Sequence, residues 1–288
     1  NAVAQGMGLA AGQRILTSDQ EHPGGRMCWD YFARTCGAVV DVAAIPSGVF
    51  SPEEITARFA AKLTPQTRVI SVSHVTFTTG LVMPIRELAA LAKARGCLLI
   101  VDGAQAVGGL RVDVKALGCH AYATSGHKWL LGPKGTGLLY LANGAPIDPL
   151  VFSGGMHVYT GATGTRNIPA VIGLGAALAY QAEHIGQAAV EARLLALRNR
   201  LYAGLQGVKR VTLASPPPGP QASPICTFAL PAGVNNEVVG AALREQHRLV
   251  VKVVPAHYLN GIRVSPHVYN TEADIDALVA AVKQELGG

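Results

Sequence analysis

Two side chains in this sequence could do covalent and acid–base work together. Asp102 closes the apolar run Leu98–Val101, and Lys128 closes the string Ser125-Gly126-His127, 26 residues further on. Leu98 to Val101 reads as a strand covered on both faces. An acid at the carboxyl end of such a strand sits where open α/β sheets bind ligands. The chain continues through Gly103-Ala104-Gln105 as a turn opening a helix, then a second short strand into Ser125, then a hairpin beyond Lys128. So placed, a lysine and a carboxylate converge on one small cofactor.

A lysine amine forms a Schiff base with an aldehyde cofactor, and an acid against a ring nitrogen keeps that nitrogen protonated so that the ring can draw in electrons. An opposite charge at ~4–6 Å shifts a pKa by ~1–3 units, roughly 1.4–4 kcal/mol in favour of the pyridinium. The pairing points to pyridoxal 5′-phosphate. Gln105 is within reach of a ring hydroxyl, and Ser125 and His127 can donate to a phosphate. Each residue alone also has a plainer reading: a strand-end Asp often caps a helix, a loop Lys is solvated, and Ser-Gly makes a turn. Lys134, in Gly132-Pro133-Lys134-Gly135, is a rival lysine at a turn apex.

The whole string, Asp-Gly-Ala-Gln followed by Ser-Gly-His-Lys, resembles the class V aminotransferase family of fold-type I pyridoxal phosphate enzymes, over nearly the whole chain. The resemblance implies that Lys128 is the Schiff-base lysine, Asp102 the pyridinium partner, Gln105 the partner of the ring O3′, and Ser125 with His127 the phosphate ligands. Glu21-His22, after the strand Arg14–Ser18, is similar to a family segment whose imidazole stacks on the cofactor ring. His22 is expected to do so here; its plain reading is a loop residue ahead of Pro-Gly-Gly. Beyond the buried strand Arg68–Ser73, desulfurases of the family carry an Asn about where Phe77 falls, and related C–S lyases place it nearer Thr78. Thr78 is therefore expected to face the cofactor. Gly164-Thr165 resembles the segment that reaches into the partner subunit's site with its threonine on phosphate, which implies a homodimer with shared active sites. Its plain reading is the start of the next helix, and one segment can serve both purposes.

Ile262 to Thr271 resembles the family's C-terminal signature, whose arginine binds the substrate α-carboxylate. Arg263 has the planar fork for that task; a structural salt bridge is the alternative. Desulfurases carry a nucleophilic cysteine just upstream, whereas Val253 to Asn260 contains none, so desulfuration is disfavoured. What remains is a pyridoxal phosphate enzyme acting at Cα or Cβ of an amino acid, with Lys128 moving protons. The motifs look most similar to the isopenicillin-N-epimerase-like and cysteine C–S-lyase-like branch, with an aminotransferase as the alternative. His257 and Tyr258 are candidates for substrate contacts. A non-catalytic binding or dimerisation partner is the reading from another class, opposed by the joint presence of Lys128, Asp102, Gln105, His127 and Arg263.

The elements that must position these residues follow a strand–helix–strand rhythm from Arg14 to Val101, the mark of right-handed crossovers and a parallel sheet. The expected architecture is α/β: a mainly parallel, seven-stranded-type large domain over residues 1–205 and a smaller C-terminal α+β domain over 206–288, divided near Pro216-Pro217-Pro218. The opening NAVAQGMGLAAG reads as a helix closing near Gly12. In the resembled family a threonine-rich phosphate-binding turn precedes an equivalent of Asn1, so that segment is expected to be missing here. Helices are expected over Arg26–Thr35, from Ser51-Pro52, over Pro84–Gly96, and as one long rod from Ala170 to about Leu205.

With 288 residues, 49% hydrophobic and 15% charged, the chain can bury a large core. The net charge of +6 is spread without basic runs interleaved with aromatics, so no nucleic-acid partner is expected. Cys28, Cys36, Cys97, Cys119 and Cys226 lack metal-ligand or disulfide-framework spacing, so no metal is expected and a reducing, cytoplasmic location follows. No apolar span approaches ~20 residues, so no membrane segment is expected.

Overall fold

The computed structural model describes residues 1–148 and 167–287. Six strands form the large sheet in the order β2 (Val39–Ala43), β1 (Arg14–Ser18), β3 (Thr67–Ser73), β4 (Leu98–Asp102), β5 (Ala121–Ser125), β6 (Gly137–Leu141). All neighbours are parallel except β6, which returns antiparallel beside β5. The mainly parallel α/β sheet is as expected, with six strands among the described residues where seven were anticipated.

Along β1, β3 and β4 successive residues alternate between two cores, which is why Ile15-Leu16, Val69-Ile70 and Leu98–Val101 read as apolar runs. Leu16, Ile70, Leu99 and Val101 face α3 (Pro52–Ala60) and α4 (Ile85–Ala94) through Ile55, Phe59, Leu88 and Ala92. Ile15, Val69, Leu98 and Ile100 pack on the opposite face with Trp29 of α2 (Pro23–Cys36) and Val3 of α1 (Ala2–Gly6). Burying each such side chain contributes on the order of 1.5–3 kcal/mol. The last residues of β1, β3, β4 and β5 are Ser18, Ser73, Asp102 and Ser125, so one edge of the sheet collects polar groups where the apolar runs end.

Beyond Asn167 lie α6 (Ile168–Tyr180), a π-helical turn (Gln181–Ile185) and α7 (Gln187–Leu205). The expected single rod is therefore broken. Gln181 turns its buried amide to donate to the Leu130 carbonyl at 2.7 Å, and Gly186 takes a φ of +83°, which ends the helix.

The second sheet is antiparallel, ordered β7 (Thr212–Leu213), β8 (Cys226–Ala229), β10 (Gly261–Val264), β9 (Lys252–Val254). It packs against α8 (Asn236–Glu245), α9 (Glu272–Gly287) and the latter half of α7, where Leu197, Leu201 and Leu205 enter the core. The first half of α7 places Val190 and Leu194 against Trp129 and Ile225 instead.

The first helix stops at Gly6 and not near Gly12, and α2 begins three residues before the expected Arg26. Among the described residues, no helix is long and apolar enough to cross a membrane.

Candidate active site

A cavity of about 670 Å³ opens at the polar edge of the large sheet, bordered by His22, Asp102, Gln105, Ser125, His127 and Lys128. Six of the expected residues therefore meet in one place. Each reaches it for a local reason.

His22 is the N-cap of α2: its Nδ1 accepts from the Gly24 amide at 3.1 Å, with Pro23 at the first helical position. The loop expected here is thus a capped helix start, and the cap leaves Nε2 as the protonated nitrogen of the neutral ring. Burial, then the charge of Lys128, holds this imidazole below its ordinary pKa. Phe77 meets the ring edge-on, with centroids 5.2 Å apart.

Asp102 ends β4 in register with Ser73 and Ala123. Its Oδ1 accepts from the Ala104 amide at 2.9 Å and closes the turn after β4, while Oδ2 accepts no hydrogen bond among the described residues. Oδ2 lies beside Gly25, where a Cβ would come within 2.9 Å of it. The stretch after Asp102 makes turns and not the expected helix. That conformation brings Gln105 back under Trp129, whose indole N–H donates to Gln105 Oε1 at 3.0 Å. The amide nitrogen of Gln105 is left to donate elsewhere.

Lys128 is half-buried at the cavity wall and makes no hydrogen bond or ion pair among the described residues. Burial lowers its pKa, against the pull of Asp102 and with a smaller push from Arg263. Ser125 Oγ is buried without a partner. The rival Lys134 is exposed.

Arg263, on β10, donates from Nη1 to the Phe77 carbonyl at 2.8 Å. Its Nε is buried and unpartnered, and no carboxylate pairs with it among the described residues. Burial lowers its pKa. The salt-bridge alternative is thereby removed, and an electropositive fork faces the neighbourhood of Lys128 and His22.

Thr78 is the correction. It is fully buried, and its hydroxyl donates to Gln20 Oε1 at 2.6 Å, away from the cavity. The turn after β3, closed by the Thr76 amide on the Leu81 carbonyl at 3.0 Å, sends Phe77 to the cavity and Thr78 to the opposite side. Thr165 lies outside the described residues. Tyr258, a substrate-contact candidate, donates to the Glu21 carbonyl at 3.2 Å and meets Phe77 edge-on at 5.1 Å.

Glu21 has a role that the Glu21-His22 segment alone does not reveal. It is buried, and Ser18 and Ser73 donate to its two carboxylate oxygens at 2.5 and 2.6 Å. Burial pushes its pKa up to about 7 against those two hydrogen bonds, with Asp102 adding to the rise. An acid three residues past the end of β1, next to His22, is the available signal.

The groups left free are an amine, one carboxylate oxygen, an amide N–H and a buried hydroxyl, with a guanidinium behind them. They could hold a small, flat, polar molecule that carries a phosphate.

The aminotransferase class-V family model matches residues 1–278. The isopenicillin N epimerase of Amycolatopsis lactamdurans is 36% identical, with 96% of this chain and 75% of that protein covered. A cysteine desulfurase of Yersinia pestis (strain Pestoides F) is 32% identical, covering 99% and 74% respectively. In three dimensions, the cystine C–S lyase C-DES in complex with its product cysteine persulfide superposes with a TM-score of 0.88 at 24% identity, over 100% of this chain and 79% of that one; that likeness shows the shared fold. With the family model spanning nearly its whole length and two sets of relatives above 30% identity, the chain belongs to the class V aminotransferase family.

Proposed function

We propose that this chain binds pyridoxal 5′-phosphate at the polar edge of the large sheet and, through Lys128, moves a proton at Cα of an amino acid, with epimerisation as the outcome. The observation that carries the reading is the unpaired Lys128 amine, depressed in pKa and set in one cavity with Asp102. The free groups fit the cofactor: Asp102 Oδ2 for the ring nitrogen, the Gln105 amide for the ring hydroxyl, and Ser125 with His127 for phosphate oxygens. Bound there, pyridoxal phosphate supplies an aldehyde for the lysine amine and a protonated ring that draws electrons from Cα.

The protein's own part is positioning and proton transfer. Arg263 takes the substrate carboxylate in its unpaired fork, which fixes Cα relative to Lys128. A lysine whose pKa has been lowered by burial holds a larger neutral fraction near pH 7, the form able to accept the Cα proton. His22 and Phe77 wall the site and exclude water.

The likeness to isopenicillin N epimerases favours epimerisation. The likeness to cysteine desulfurases favours, as a second reading, loss of a sulfur substituent from Cβ. It does so without a protein persulfide, because Pro255–Asn260 offers His257 and Tyr258 but no thiol. A homodimer is part of the proposal. Ile168, Val171, Ile172 and Tyr180 of α6 are exposed, as are Leu138 and Leu139 of β6, and Leu139 also borders the cavity; a second copy would cover this apolar area. Five free thiols support a cytoplasmic location.

The test is a titration of the purified protein with pyridoxal 5′-phosphate. A visible absorbance band that Lys128→Ala does not form, and that amino acids perturb, is the expected result. A wild-type protein that forms no band would overturn the reading.

A further inference from the structure

The signature that carries Arg263 also carries a histidine with no role so far. His267 is buried, with its ring stacked between Trp129 (centroids 5.6 Å, 20° between planes) and Tyr269 (5.0 Å, 10°). Its protonation is fixed by its partners. The Val268 amide donates to Nδ1 at 2.8 Å, so Nδ1 carries no proton, and Nε2–H donates to the Trp129 carbonyl at 3.3 Å.

Trp129 is the residue after Lys128. Its indole N–H fixes Gln105, and its peptide is wedged against Gly108, where a Cβ would come within 2.6 Å of the Trp129 carbonyl carbon. One imidazole from the small domain thus touches both the backbone that carries Lys128 and the ring that aims Gln105.

We propose that His267 is a positioning residue: through the Trp129 carbonyl and indole it sets the placement of Lys128 and of the Gln105 amide. The link to Gln105 rests on the pyridoxal phosphate reading, whereas the link to Lys128 does not.

The experiment compares wild type with His267→Phe, which keeps an aromatic ring and removes the donor, and His267→Gln, which offers an N–H at a similar reach. In the cofactor-free protein, Lys128 is labelled with acetic anhydride across a pH series and its labelling midpoint is read by peptide mass spectrometry. Affinity for pyridoxal 5′-phosphate is measured in parallel by absorbance, and folding by thermal unfolding. The expected result is that His267→Phe unfolds cooperatively, moves the Lys128 midpoint upward toward that of a solvated lysine and weakens cofactor affinity up to about ten-fold, the scale of one lost hydrogen bond. His267→Gln recovers part of both.

Should His267→Phe fail to fold, Trp129→Phe decides for Gln105. It removes the indole donor, with part of the ring stacked on His267, but keeps the backbone carbonyl that His267 holds, and is expected to weaken affinity while leaving the Lys128 midpoint in place. An unchanged midpoint together with unchanged affinity in a folded His267→Phe overturns the proposal. A wild type that does not bind the cofactor overturns the functional reading alone, and the labelling midpoint still decides whether His267 positions Lys128.

Discussion

The Arg263 guanidinium reaches from the small sheet to the Phe77 carbonyl at 2.8 Å, and the rest of its fork meets no acid. A half-buried cation with a buried, unpartnered Nε and no acid beside it is a place kept for an anion. Arg263→Lys preserves the charge but loses the planar fork. It should raise KM for the amino-acid substrate by roughly 10–100-fold, the scale of one or two charge-assisted hydrogen bonds, and leave the cofactor band unchanged. Steady-state kinetics on the reconstituted protein read the first effect, and absorbance without substrate reads the second.

Phe77 touches His22 and Tyr258 edge-on, at 5.2 and 5.1 Å. Phe77→Ala should destabilise the fold by about 3–5 kcal/mol, whereas Tyr258→Phe, which loses only the hydrogen bond to the Glu21 carbonyl, should lose about 1 kcal/mol. Urea unfolding separates the two. Equal losses would mean that the hydroxyl, and not the ring cluster, fastens the 255–260 loop.

Thr78→Val removes the donor to the half-buried Gln20 amide oxygen. A stability loss of about 1–3 kcal/mol is expected, with affinity for pyridoxal 5′-phosphate unchanged. Weakened affinity in a well-folded Thr78→Val would return Thr78 to the cofactor side.

Glu21 and His74 give opposing pH dependences. The folded pKa of Glu21 is raised from 4.5 to about 7, so the native state holds a proton that the unfolded state releases, and stability falls as pH rises from 4.5 to about 7. His74, buried and hydrogen-bonded to the Tyr122 hydroxyl at 2.8 Å, is lowered from 6.5 to about 4. Its contribution is lost as pH falls from 6.5 to about 4. Each shift corresponds to about 3 kcal/mol, so the two largely cancel between pH 4.5 and 6.5. Glu21→Gln removes one of them, and its melting temperature should climb more steeply than wild type over that window. Parallel melting curves for the two proteins would show that Glu21 does not titrate with a raised pKa.

The contiguous parts of this site were legible because a short segment sets them. Asp102 and Gln105 lie on the end of β4 and the turn that follows it, and Ser125, His127 and Lys128 on the end of β5 and the loop that follows it. Parts that depend on how separate segments meet were not. Glu21 is buried by hydroxyls from Ser18 and Ser73, which come together only because β1 and β3 are neighbours. Phe77 and not the expected Thr78 faces the cavity, because a turn closed by Thr76 and Leu81 decides which side chain points inward. The break between α6 and α7 depends on Gln181 finding the Leu130 carbonyl 51 residues away, while Ala-rich sequence on either side favours one continuous helix. In the large sheet, alternation into two cores makes the central strands β1, β3 and β4 visible as apolar runs.

Proton exchange at Cα tests the central claim most directly. A panel of amino acids, sulfur-containing ones included, is incubated in deuterated water with the pyridoxal 5′-phosphate-supplied wild type and with Lys128→Ala, and deuterium at Cα is followed by nuclear magnetic resonance. At least one amino acid should exchange with wild type, and the rate should fall by about 100-fold or more in Lys128→Ala, the usual contribution of a positioned acid–base group. Equal exchange by both proteins, or none by a wild type that shows its cofactor band, would contradict the account.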